Sequence, residues 1–221
     1  NGDPHQWEVW EQLDNLIKKY FYFKDGKKLR SVITCIDSGG IHTSEVYQYA
    51  RERQKLGVIA IKGQSQKNKL PIGKPTRVNI NLRGKSLKNG SLVYPIGVDT
   101  IKTLFMGRLK NNKKGSRGYI HFHNTTSEEY FKQLTSEQQV IKKNSNGYQV
   151  LQWTLKSNAR NEALDCAVYA YAGLSLYLSR FEKSTVWNTL EQRLMNNGNV
   201  ITPKNATIQN KPMYSNYVNS W

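Results

Sequence analysis

The sequence predicts a mixed α/β fold, with strands separated by helices around one sheet. Three observations carry this. The β-branched run at residues 31–36 (SVITCI) and the run at 57–61 (GVIAI) flank a helix-patterned stretch. Strand, helix, strand reads as a βαβ unit with parallel strands. The stretch 159–180 is apolar or small at most positions, and a helix that is apolar all round is a buried one. The 221 residues suffice for one well-filled core, or for a domain with a tail.

The elements follow in order. Over residues 7–22, Trp7, Trp10, Leu13, Leu16, Ile17 and Tyr20 recur at helical spacing, which predicts an amphipathic helix with its aromatic stripe on the core. The strand at 31–36 stops at the turn Asp37-Ser38-Gly39-Gly40. Thr43 or Ser44 can cap the next helix, through Glu45, Val46, Tyr47, Tyr49 and Ala50. The strand at 57–61 ends at Lys62-Gly63. Residues 63–91 are polar, basic and rich in Gly, Pro and Asn, which predicts a long loop with one ribbon at 77–82. LVYPIGV at 92–98 is extended, and Thr100 opens a helix. A basic loop at 111–118 precedes a strand, YIHF, at 119–122. Residues 127–143 read as a helix or two helical turns, 148–155 as a strand and 159–180 as the strongest helix. From Lys183 the chain starts helically and becomes Asn-rich, so a domain over 1–182 is expected to carry a partly irregular extension over 183–221.

Thirty-three Lys and Arg face 16 Asp and Glu, a formal charge of +17. That balance favours a polyanionic partner: phosphate backbones first, anionic membrane surfaces second. No basic amphipathic helix with a strong apolar face is present, which argues against the membrane. No apolar run is long enough to span a bilayer, and NGDPHQWEVW lacks the features of a signal peptide, so a cytoplasmic location is expected. Between residues 53 and 117 there are 16 basic residues and a single acid, Asp99. Loops of one sign fit a phosphate-contacting surface, and Lys62, Arg108, Lys110, Lys113, Lys114 and Arg117 are the expected contacts. Cys35 and Cys166 lack metal-type spacing and are expected to be buried free thiols.

Four positions carry possible chemistry. Asp37 ends a buried strand, where functional groups of α/β sheets gather, and serves either a cation or the turn itself. Asp165 lies in NEALDCAVYAYAGL among apolar neighbours, where an ionised carboxylate is costly unless paired or metal-bound. Glu162, three residues earlier, shares its helical face. The two repel unless a cation sits between them or Arg160 or a distant Lys pairs with them. In GVDTIK, Asp99 is expected to cap the helix, whereas Lys102, like Lys62, lies beside a strand end and can hold a phosphate or stabilise developing charge. His121 and His123 alternate on one expected strand face with no third ligand nearby, which favours a surface or core-edge role over metal binding.

CIDSGGIHTSEVYQYAR, VIAIKG, IGVDTIKTLFMGRL, GYIHFHN with YFKQLTSEQQV, and finally a Trp followed by RNEALDCAVYA occur in that order. This series resembles the nuclease domain of the lambda-type phage terminase large subunits, from about Gly2 to Arg180. The resemblance implies an RNase H-like fold with a mixed sheet flanked by helices. It implies an endodeoxyribonuclease that cuts concatemeric DNA with Mg²⁺ or Mn²⁺, in a two-metal site when intact. Asp37 and Asp165, with Glu162, would hold the metal, and Lys102 matches the lysine of the family's GxDTxK motif. The implied partners are double-stranded DNA, a small terminase subunit and the portal of the procapsid, in the cytoplasm of a bacterial host. The family begins this domain with a strand bearing another Asp, in a motif like G-V/I-D-x-Q, after an ATPase motor with a GxxxxGK[ST] loop. Neither is found here, so a nuclease truncated at its N-terminus is expected. Two alternatives remain: a non-catalytic DNA-binding or packaging-interaction domain, and an RNase H-like resolvase. Convergence of Asp37, Glu162 and Asp165 argues against the first, and a preference for branched DNA marks the second.

Overall fold

The structure, a computed structural model, describes residues 2–82 and 84–195. Strand β1 (Tyr20–Tyr22) and strand β2 (Lys28–Arg30) form a small antiparallel hairpin behind helix α1 (Trp7–Lys18). Strand β3 (Thr34–Asp37), helix α2 (Thr43–Glu52) and strand β4 (Val58–Gln64) are the expected βαβ unit. Their strands are parallel neighbours, with Thr34 opposite Val58 and Asp37 opposite Ile61. Strand β6 (Lys85–Gly97) continues the sheet parallel to β4, and strand β5 (Thr76–Leu82) closes it antiparallel to β6. The result is a mixed four-stranded sheet in the order β3-β4-β6-β5. Helix α3 (Val98–Leu109) follows β6, and helix α4 (Glu128–Leu134) leads to a separate two-stranded sheet of β7 (Glu137–Lys143) and β8 (Gln149–Leu155). Helices α5 (Glu162–Leu178) and α6 (Val186–Met195) complete the described chain.

Why VIAI sits at the centre follows from the strand's period of two. Val58 and Ala60 face the cluster made with Ile17 of α1 and Val46, Tyr47, Tyr49 and Ala50 of α2. Ile59 and Ile61 face the other cluster, with Ile96, Ile101 of α3, and Leu164, Val168 and Ala172 of α5. A strand buried on both faces needs an unbroken apolar run. Helix α5 lies against β3 so closely that a Cβ at Gly173 would be 3.1 Å from Cys35 Sγ. The expected packing of this helix across the sheet is therefore present. Its expected burial all round is not: Leu174 and Cys166 are exposed, and a single helix face meets the sheet. Neither thiol is fully buried as expected, Cys35 being half-buried and Cys166 exposed, and burial pushes Cys35 up to about 12.

Several expected elements differ. The helix at 7–22 stops at Lys18, because Lys19 turns extended and the β-prone Tyr20–Tyr22 pairs across a turn in which Gly26 takes φ +82°. The long loop at 63–91 is largely hairpin, since Val78, Ile80 and Leu82 alternate inward over α2 and draw the polar start of β6 into pairing. YIHF has no strand partner among the described residues. It follows a loop closed on itself by Asn111 and Ser116, with positive φ at Gly115 and Gly118, and Phe122 packs edge-on against Phe131. The helix expected over 127–143 ends at Leu134, and EQQVIKK pairs with β8 instead. Neither Thr43 nor Asp99 caps a helix by its side chain; His42 and Gly97 hold those cap positions. Among the described residues no helix is long and apolar enough to cross a membrane. The end of the expected extension, residues 196–221, lies outside the described residues.

Candidate active site

Asp37 is the last residue of β3, and the strand end beneath it is pinned. Ser38 is buried, and both its backbone N–H and its hydroxyl donate to Ile61 O, at 2.9 and 2.8 Å. One Asp37 oxygen accepts from Gly39 N at 2.9 Å, and the other accepts from the Tyr169 hydroxyl at 2.9 Å. Tyr169 stands four residues after Asp165 on α5, one helical turn along the same face. Burial raises the Tyr169 hydroxyl, and the charges of Asp37 and then Asp165 add to the shift.

Asp165 reaches the same rim from the first turn of α5. Its carboxyl is raised, chiefly by burial; Lys102 opposes the shift, while Glu137 and Asp37 reinforce it. Lys102 is itself buried, one of the few charged groups in the core. Its ammonium lies 2.6 Å from Glu137 Oε1 and 3.4 Å from Asp165 Oδ1. Asn161 donates to the same Glu137 oxygen at 2.8 Å. A continuous polar row therefore runs Asn161, Glu137, Lys102, Asp165, with Asp37 and Tyr169 beside it.

Glu162 does not join the row. It is exposed and pairs with Arg160, whose guanidinium holds its carboxyl below the usual range. Among the described residues, none of Asp37, Glu137, Glu162 and Asp165 belongs to a trio of ligand atoms within 4.8 Å of one another. The rim is a pair of coupled acids rather than a preformed tripod. Such a pair fits Mg²⁺ or Mn²⁺, which use one or two carboxylates and keep several waters. Each Asp37 oxygen accepts a single hydrogen bond, so lone pairs remain, and a cation removes the like-charge cost at Asp165.

Residues 1–185 match the family model for the terminase large subunit gpA, endonuclease domain. The chain belongs to that family. It is 33% identical over 179 residues to the terminase large subunit of Escherichia phage lambda, covering 77% of this chain and 26% of that protein. It is 30% identical over 189 residues to the terminase large subunit of Enterobacteria phage P21, covering 82% of this chain and 28% of that protein. The chain thus spans about a quarter of the length of these relatives. No solved structure matches it at a significant level.

Of the basic residues of this terminase endonuclease domain, Lys62 is exposed at the carboxyl end of β4, one position past the partner of Asp37. Lys110, Lys113, Lys114 and Arg117 are exposed around the far end of α3. Arg108 is half-buried, its guanidinium 5.5 Å from the centre of the Tyr171 ring. At 1.5 Å per residue, Lys110 stands about 12 Å along the helix from Lys102. The structure thus sets the basic loop apart from the acids. Lys102 is buried, with its ammonium directed at Glu137 and Asp165. His121 and His123 lie in the irregular segment, His123 against Thr125 and His121 against Tyr119.

Glu137, Asn161 and Tyr169 were not singled out by sequence. Glu137 falls in the stretch 127–143, which the pattern reads as a helix or two helical turns, where an acid carries no signal. The sign that marks it is position: it opens an extended run straight after a Thr-Ser helix stop.

Proposed function

We propose that this chain is the DNA-cleaving part of a packaging terminase, an RNase H-like endonuclease that hydrolyses phosphodiesters with Mg²⁺ or Mn²⁺ held by Asp37 and Asp165. The observation that carries the reading is the coupling of these two acids at the carboxyl end of the sheet, from different elements, beside a buried lysine. The sheet order supports the fold reading, with three parallel strands, an antiparallel edge and helices on both faces. A bound divalent ion would supply an activated water and charge stabilisation at the leaving oxygen.

The chain's own residues do the positioning. Tyr169 and Gly39 hold Asp37 in one rotamer by occupying one lone pair on each oxygen. Lys102 opposes the upward shift that burial imposes on Asp165 and is itself held by Glu137. Glu162 stays outside the row, exposed and paired with Arg160, from where it could join a bound ion only by leaving that pair. Lys62 and the loop after α3 bind backbone phosphates on either side of the cut. Double-stranded DNA is the substrate, and a small terminase subunit and the portal are the partners of the whole large subunit, in the host cytoplasm.

The test is cleavage of supercoiled plasmid in Mg²⁺ or Mn²⁺, by this chain and by a full-length large subunit carrying it. Asp37→Asn and Asp165→Asn are each expected to lower the rate by at least about 100-fold. DNA binding should be kept or slightly tightened, since each variant removes a negative charge beside phosphates. Wild-type rates in both variants would sink the reading. Binding without metal-dependent cutting, in the full-length protein as well, would favour the non-catalytic alternative.

A further inference from the structure

A second cluster of ligand-type side chains lies away from that row. Asp3 and His5 precede α1, and His42 holds the cap position of α2. One ligand atom from each lies within 4.8 Å of the other two. The His5 and His42 rings meet edge-on with centroids 4.7 Å apart. Asp3 is drawn back toward His5, whose backbone N–H donates to Asp3 Oδ1 at 2.9 Å. Behind the cluster, Glu45 in the first turn of α2 places Oε1 3.1 Å from His5 Nδ1. Glu45 is mostly buried whereas His5 is exposed.

We propose that Asp3, His5 and His42 form a site for a borderline transition ion of the zinc class, with Glu45 as the outer carboxylate that orients His5. The donor set decides the class. Two imidazoles and one carboxylate suit Zn²⁺, Co²⁺ or Ni²⁺, whereas Mg²⁺ and Ca²⁺ favour oxygen throughout. The spacing is within reach, since ligands on a tetrahedral ion at about 2.1 Å lie about 3.4 Å apart. Asp3 and His5 are exposed, so small side-chain rotations close the difference at little cost. A carboxylate on one nitrogen of a ligating histidine fixes its ring and tautomer and leaves the other nitrogen free to bind. Three protein ligands leave a fourth position for water. Such an ion would tie the segment ahead of α1 to the start of α2, five residues after Asp37, and so brace the loop that follows it.

The chain's other histidines, His121 and His123, lie elsewhere in the fold and provide the control. The 221-residue chain is titrated with Co²⁺ while its visible absorption is followed, and separately with Zn²⁺ by calorimetry. One ion per chain is expected, with a cobalt spectrum that a large excess of Mg²⁺ does not displace. His5→Ala and His42→Ala should each weaken binding at least tenfold, and the double variant should abolish it. Glu45→Gln should weaken it about tenfold. Zinc should raise the melting temperature of the wild type but not of the double variant, with the metal-free melting temperatures alike. His121→Ala/His123→Ala should bind as the wild type does. No stoichiometric binding in the wild type, binding kept in the His5/His42 double variant, or binding lost in the His121/His123 control would each overturn the site.

Discussion

Lys102 shows what single residues contribute, because its buried ammonium is answered by two carboxylates from different elements. Removing one partner of a buried pair costs about 3–5 kcal/mol, since the charge left behind cannot be solvated. Glu137→Leu is therefore expected to lower the melting temperature by roughly 6–20 °C for a domain of this size. It should also slow cleavage by loosening Asp165, whereas Glu137→Gln should recover part of both. A Glu137→Leu variant with unchanged melting would show that the pair does not hold the site. Asp14 makes the second case. It accepts two bonds from Arg53, at 2.6 and 2.9 Å, and one from Tyr49 at 2.6 Å, which fastens α1 to α2. Arg53 holds its carboxyl below the usual value of 3.8. A depressed acid stabilises the fold above its unfolded value, and that contribution is lost as pH falls through its folded value. Melting temperature against pH should fall on the acid side below about 4, and Asp14→Asn should be less stable at neutral pH with a flatter acid limb. At this scale Asp37, Asp165 and Lys102 were legible because strand ends and a charge in an apolar run are local signals. Glu137 and Tyr169 were not, because their roles depend on where β7 and α5 come to rest.

Among elements, what was legible was what carries its own period. VIAI, the helix after Asp37 and the long α5 each announce themselves in a short window. What was missed depends on a partner. EQQVIKK is a strand because β8 lies beside it, and YIHF is not, because among the described residues no strand pairs with it. Strand preference is largely a statement about neighbours. The join between α2 and β4 gives a sharper test. Gly57 has φ +83°, and a Cβ there would lie 2.2 Å from the Val32 carbonyl oxygen. The backbone of the strand's own neighbour is in the way, so no side-chain shift can relieve the contact. Gly57→Ala should cost about 2 kcal/mol or more, from left-handed strain and the clash together. In urea the midpoint should drop with the slope unchanged. An unshifted midpoint would mean that β4 can enter the sheet by another path.

For the whole molecule, charge and fold combine at α3. Its second turn carries Lys102, turned inward to the acids, and its far end opens into the loop of Lys113, Lys114 and Arg117. That loop is rigidly made: Asn111 Nδ2 donates to Ser116 Oγ at 2.9 Å and to Arg117 O at 3.1 Å, and Ser116 Oγ donates to Lys113 O at 2.6 Å. A loop of one sign whose start lies about 12 Å along the helix from Lys102 can grip a backbone several nucleotides from the cut without entering the chemistry. Duplex affinity should fall steeply with salt, by about 0.9 in logarithmic slope for each phosphate contacted. Neutralising Lys113, Lys114 and Arg117 together should weaken binding uniformly across sequences and reduce that slope by about 2 to 3. Cleavage at saturating DNA should change little, because none of the three touches Asp37 or Asp165 through the polar row. A slope that stays the same in the triple variant would move the DNA path off this loop. A rate at saturation that collapses with it would instead tie the loop to the catalytic step.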